Sequence, residues 1–181
     1  MLSADIEELY SLIEEAENCI KEAEYVKNEG FYLPSINELR YSLRHLIQYI
    51  KDNRSDDLVE CKAHIKRAMY DALEVRIIIL MERTRRFRRL YYFVFIPKVI
   101  TNWLDIVNEL EDTKSLLSLD DGAKSRADKL KNAIQRLEQI SKTLENAKPE
   151  LNKILFINIF KLLAGFITFL ASLAVLYNFA F

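Results

Sequence analysis

Residues 154–181, ILFINIFKLLAGFITFLASLAVLYNFAF, decide how the whole chain is read. Lys161 is the only formally charged side chain in the stretch, and from Leu162 to Phe181 there is none. A helix of that length, rising about 1.5 Å per residue, crosses a hydrocarbon core of roughly 30 Å, so the spacing predicts one C-terminal transmembrane helix. A cleaved targeting peptide would lie at the other end behind basic residues, whereas this chain opens on the acidic run MLSADIEELYSLIEEAE. The expectation is a tail-anchored protein, with residues 1–148 as a helical bundle on one side of the membrane and 149–181 as the membrane helix.

The membrane stretch has two chemically distinct faces. Asn158, Lys161, Gly165, Thr168 and Ser172 follow one another at spacings of three and four and share one side of a helix, with Leu163, Phe166, Ile167, Leu170, Leu173 and Tyr177 opposite. A polar and small stripe is unfavourable against lipid, which turns it toward other helices or water as a pore lining or a packing seam. With one such helix per chain, the partners are copies of the chain related by rotational symmetry. The alternative is that Thr168 and Ser172 bond back to carbonyls one turn earlier while Lys161 snorkels to the headgroups. Lys148, Lys153 and Lys161 flank the N-terminal side and no basic residue follows, which predicts a cytoplasmic domain.

The rest of the composition selects an all-α fold. Three glycines and three prolines in 181 residues supply little of the turn chemistry that sheets require. The 26 basic and 27 acidic residues balance, so no global charge directs the chain to nucleic acid or to acidic substrates. Cys19 and Cys61 stand on apolar helical faces without a CxxC or a histidine at ligand spacing, and are read as core residues; no metal and no cofactor is expected.

About five helices are expected before the membrane. The first runs from Ser3, as N-cap, to Asn28, where Gly30 ends it, with Ile6, Leu9, Tyr10, Ile13, Ala16, Ile20 and Ala23 inward and an acidic outer side that is either solvated or complementary to a basic surface. The second opens at Pro34 and reaches Asp52, with Ile36, Leu39, Leu43, Leu46, Ile47 and Ile50 as core positions. A third starts at Ser55-Asp56-Asp57 and meets no breaker before Pro97, so it is expected to reach Phe95. A fourth reaches about Leu119. After the SLDDG loop a fifth covers Ala123 to Ala147, its seam formed by Leu130, Ile134, Leu137, Ser141 and Leu144, and Pro149 marks a kink or the first turn of the anchor.

Late in the third helix Arg83, Arg85, Arg86, Arg88 and Arg89 abut the aromatic run YYFVF. Such a patch fits an ion-paired helix face, an interfacial contact with anionic lipid, or contact with RNA.

One short motif has a catalytic precedent. Arg40 is followed after four residues by His45, and this resembles the RxxxxH signature of HEPN-type helical ribonuclease domains. The resemblance implies that the two residues act at a dimer interface on an RNA phosphodiester, the histidine as general acid or base and the arginine on the developing charge. On one straight helix they lie about 140° apart, so one chain alone does not bring them together. Tyr41 stands where the family often has a polar residue. His64, the other histidine, has no nearby carboxylate or Ser/Cys arrangement that suggests a triad and receives no role.

Together with the all-helical layout and the single anchor, the run ELRYSLRHL (38–46) resembles the small HEPN-like membrane accessory proteins of type VI-B CRISPR–Cas loci. That resemblance implies a ring-shaped homo-oligomer in the bacterial inner membrane, functionally linked to an RNA-guided ribonuclease effector, which strengthens antiviral defence by permeabilising the membrane. The competing expectation is a membrane-anchored HEPN ribonuclease acting through Arg40 and His45, and a third is a scaffold that docks a partner on the membrane.

Overall fold

In a computed structural model, which describes residues 2–27, 33–117 and 123–180, the chain forms five α-helices and, among the described residues, no strand. They are α1 (Leu2–Lys27), α2 (Leu33–Asp52), α3 (Ser55–Leu90), α4 (Trp103–Leu117) and α5 (Ala123–Ala180), with a short 3-10 turn at Ile96–Lys98. Ser3 falls within α1 but its side chain, like Gly30 and the SLDDG loop, lies outside the described residues. Contacts divide the chain into one unit of residues 1–82 with 110–139 and another of residues 83–109 with 140–181.

In the first unit, buried Leu9, Ala16, Cys19, Ile20 and Ala23 of α1 meet a core built from Cys61, Ile65, Met69, Leu73 and Ile77 of α3 and Leu130, Ile134 and Leu137 of α5. The predicted α1 positions Ile6 and Tyr10 are instead exposed. Glu8, Glu15 and Glu22 recur every seven residues and pair with Lys62 (2.7 Å), Lys131 and Arg76. Arg76 also reaches Glu138, so the acidic side of α1 is partly complementary to cations of its own chain. Burial pushes both the Cys19 and Cys61 thiols up from their ordinary range, and neither is in a disulfide.

The α2 core positions are a correction. The buried residues of α2 are Ser35 and Ser42, while Leu43, Ile47 and Ile50 stand more than half exposed. The helix packs through its polar side: Ser35 Oγ donates to the Ala68 carbonyl at 2.8 Å, Glu38 meets His64 and His45 meets Asp57. The numbers in each of these pairs add to 102 or 103, the mark of two antiparallel helices in one register. That register is set by a two-residue link in which Asn53 takes the left-handed conformation (φ 53°) and its N–H closes on the Tyr49 carbonyl at 2.8 Å.

In the second unit α3 ends at Leu90, five residues short of the expected end. Tyr91 is buried and its hydroxyl donates to Asn152 Oδ1 at 2.6 Å, while Val94 and Ile96 are buried as well. A continuing helix could not turn all three inward. Aromatic and β-branched residues also have modest helix propensity, and the residue before Pro97 is biased away from helix. The chain therefore leaves the helix through tight turns such as Val94 N–H to Tyr91 carbonyl, 2.9 Å. Pro149 proves to lie inside α5, so it neither separates two helices nor opens the anchor.

Candidate functional site

The two histidines of the chain come together. His45 of α2 and His64 of α3 stack with ring centroids 5.3 Å apart and planes 16° from parallel, and Tyr41 lies 5.6 Å from the His64 ring. Each has its own carboxylate. His64 Nδ1 is 2.7 Å from Glu38 Oε2 and His45 Nδ1 is 3.2 Å from Asp57 Oδ1. At 2.7 Å the His64 nitrogen must carry the proton, so Arg67, whose Nη1 lies 3.3 Å from that same atom, is a neighbour rather than a donor. Asp57 is buried at the start of α3; its Oδ2 has no hydrogen-bond partner among the described residues, and Arg54 Nε stands 3.7 Å off.

Imidazoles with attached carboxylates are the ordinary parts of acid–base chemistry and of charge switching near neutrality. Glu38 and His64 were missed because they stand 26 positions apart, and only the α2–α3 register makes them neighbours. Arg40 does not join them. It is exposed, with its guanidinium donating to Asn37 Oδ1 at 3.2 Å, on the side of α2 that carries Ile36 and Ile47. Among the described residues no three His, Cys, Asp or Glu side chains are arranged to hold a metal ion.

The membrane stretch presents a different surface. Every described residue from 159 to 177 is exposed, and α5 is the one described helix long and apolar enough to cross a membrane. Thr168 Oγ1 donates to the Gly165 carbonyl at 2.8 Å and Ser172 Oγ to the Thr168 carbonyl at 2.9 Å, so both hydroxyls are satisfied within the helix. A Cβ at Gly165 would meet nothing within 4 Å. Lys161 is exposed on the same face, whereas Asn158 is half-buried and its Nδ2 donates to the Phe93 carbonyl at 2.9 Å, closing the turn after α3.

The five arginines of the basic patch are exposed along the last turns of α3. Arg83 and Arg86, with Phe87 and Leu90, face Ser141, Leu144, Glu145 and Lys148 of α5 across a groove of about 410 Å³. Arg85, Arg88 and Arg89 do not line it.

Compared with models of known families, with curated proteins and with solved structures, the chain matches none.

Proposed function

We propose that this all-α protein is held in the membrane by the C-terminal part of α5, assembles with copies of itself, and permeabilises the bilayer. The observation that carries the reading is the exposed apolar stretch 159–177 with its single stripe of Lys161, Gly165, Thr168 and Ser172. In lipid that stripe gains by facing copies of itself, and Gly165 allows backbones to approach. The reversed α2 supports self-association, since Leu43, Ile47 and Ile50 form an apolar stripe with no described neighbour over it. It runs into an apolar groove of about 290 Å³ lined by Ile6, Leu9, Leu46, Tyr49, Ile50 and Leu58. The lysines flanking the span support a cytoplasmic face for the bundle, and the resemblance of 38–46 supports the bacterial inner membrane as its place. An accessory role beside an RNA-guided antiviral effector is supported by the resemblance of 38–46 and of the layout.

Purified protein should release dye from loaded liposomes, and Gly165→Leu with Thr168→Leu should abolish release. A Cβ at 165 meets nothing within 4 Å in the single chain and the position is exposed, so loss there reports a neighbour rather than misfolding. Unchanged leakage would sink the pore reading.

The ribonuclease reading keeps one observation in its favour, the carboxylate partner of His45. It requires Arg40 of a second copy to meet His45, and RNA cleavage that survives both Arg40→Ala and His45→Ala removes this motif as its site.

A further inference from the structure

Two side-chain bonds set the depth of the turn that follows α3. Tyr91 OH holds Asn152 and Asn158 holds the Phe93 carbonyl, so residues 91–95 lie beside the segment of α5 where the apolar run begins at Ile154. At that depth Tyr92, Phe93 and Phe95 are 78%, 65% and 74% exposed, and Leu90 and Leu104 are exposed as well. Large aromatic rings left open at the mouth of a membrane helix are placed where interfacial aromatics are most stable.

Further from the apolar run is the groove of Arg83, Arg86 and Lys148. Lys148 precedes Ile154 by six residues, a rise of about 9 Å along the helix, which sets its backbone just outside the roughly 5–8 Å headgroup layer and leaves its long side chain able to reach into that layer. The groove combines three cations with one carboxylate, Glu145, itself paired to Lys148 at 2.5 Å. Ser141 Oγ, buried in its wall, has no hydrogen-bond partner among the described residues. Phe87, Leu90 and Leu144 supply apolar walls against which acyl carbon can lie.

We propose that this groove binds the phosphate of an anionic phospholipid while the turn of Tyr92, Phe93 and Phe95 inserts into the interfacial layer, giving the chain a second membrane contact beside its anchor. The inference rests on the anchored reading of α5, and it does not need the pore. Lipid is favoured over RNA because the cations, the open rings and the start of the apolar run fall along one segment of α5 in the order headgroup, interface, hydrocarbon.

The test uses the full chain in detergent, with native mass spectrometry after addition of phosphatidylglycerol or phosphatidylcholine. Wild type should retain phosphatidylglycerol preferentially, and Arg83→Gln, Arg86→Gln and Lys148→Gln should weaken retention by about fivefold for each cation removed. Equal retention of the two lipids, an unchanged triple variant, or displacement of phosphatidylglycerol by inorganic phosphate or by an RNA oligonucleotide overturns the lipid site. In vesicles, Phe93→Trp in a Trp103→Phe background should be quenched by lipids brominated near the headgroup, and absence of quenching overturns the interfacial turn. Alkaline extraction separates this from the anchor. Release of the wild type from vesicles overturns both, whereas a retained wild type without lipid preference overturns the lipid site alone.

Discussion

At the scale of single residues, Asp71 of the first unit is an acidic group whose surroundings oppose its charge. Partial burial, with the charges of Glu38 and Glu74 adding to it, holds the Asp71 carboxyl above its usual range. Between the unfolded and the raised folded value, the folded chain keeps a proton that the unfolded chain has lost, so stability falls as pH rises through that window. Above the folded value both states are ionised and the whole penalty is present. Asp71→Asn should therefore raise the thermal midpoint at neutral pH, and the gain should shrink as pH falls through the folded value and vanish below the unfolded one. A variant less stable than wild type at neutral pH contradicts this. Ser35 is the opposite case: it is fully buried and its hydroxyl is used, so Ser35→Ala should cost about 0.5–1.5 kcal/mol in urea unfolding. A bulkier residue there should cost more, because the close approach of α2 to α3 leaves no room for it.

At the scale of elements, Pro149 is the point of stress. It removes one backbone donor from the interior of a 58-residue helix, and its ring crowds the carbonyl of the preceding turn, at a cost of about 3 kcal/mol. Pro149→Ala should recover part of that as a higher unfolding midpoint followed by circular dichroism, and an unchanged or lowered midpoint would show that neighbours have absorbed the strain. The continuity of α5 was not legible, because a proline between two helical patterns reads as a boundary when packing is unseen. The all-helical class and the starts of α2 and α3 were legible from Pro34 and from Ser55-Asp56-Asp57. The failure on α2 is instructive. Periodicity located its apolar face correctly at Leu43, Ile47 and Ile50, but it cannot tell whether such a face meets the chain's own core, and here the serine and histidine side does so. The same gap hid most of the histidine cluster. The RxxxxH pattern picked out His45, whereas Glu38, Asp57 and His64 become its neighbours only through a register that depends on the left-handed Asn53.

At the scale of the whole molecule, the proposed self-association turns on which exposed apolar surface would join copies of the chain. The formal charge of −1 gives little mutual repulsion, so association is decided by surface chemistry. Two surfaces qualify, the α2 stripe in water and the Gly165 stripe in lipid, and they obey different physics. Burial of the α2 stripe is driven by water, at roughly 25 cal/mol per Å² of apolar area, whereas the membrane stripe gains only close packing. Because Leu43 and Ile47 are 56% and 57% exposed in the single chain, Leu43→Glu with Ile47→Glu should leave the fold intact. Measured by light scattering on the detergent-solubilised protein, wild type should be several chains in mass and this double variant should fall toward one. If the double variant keeps its mass while Gly165→Leu lowers it, the membrane stripe holds the assembly instead. A wild type that weighs one chain removes self-association, and with it any pore built from a single helix per chain, since one helix cannot enclose water by itself.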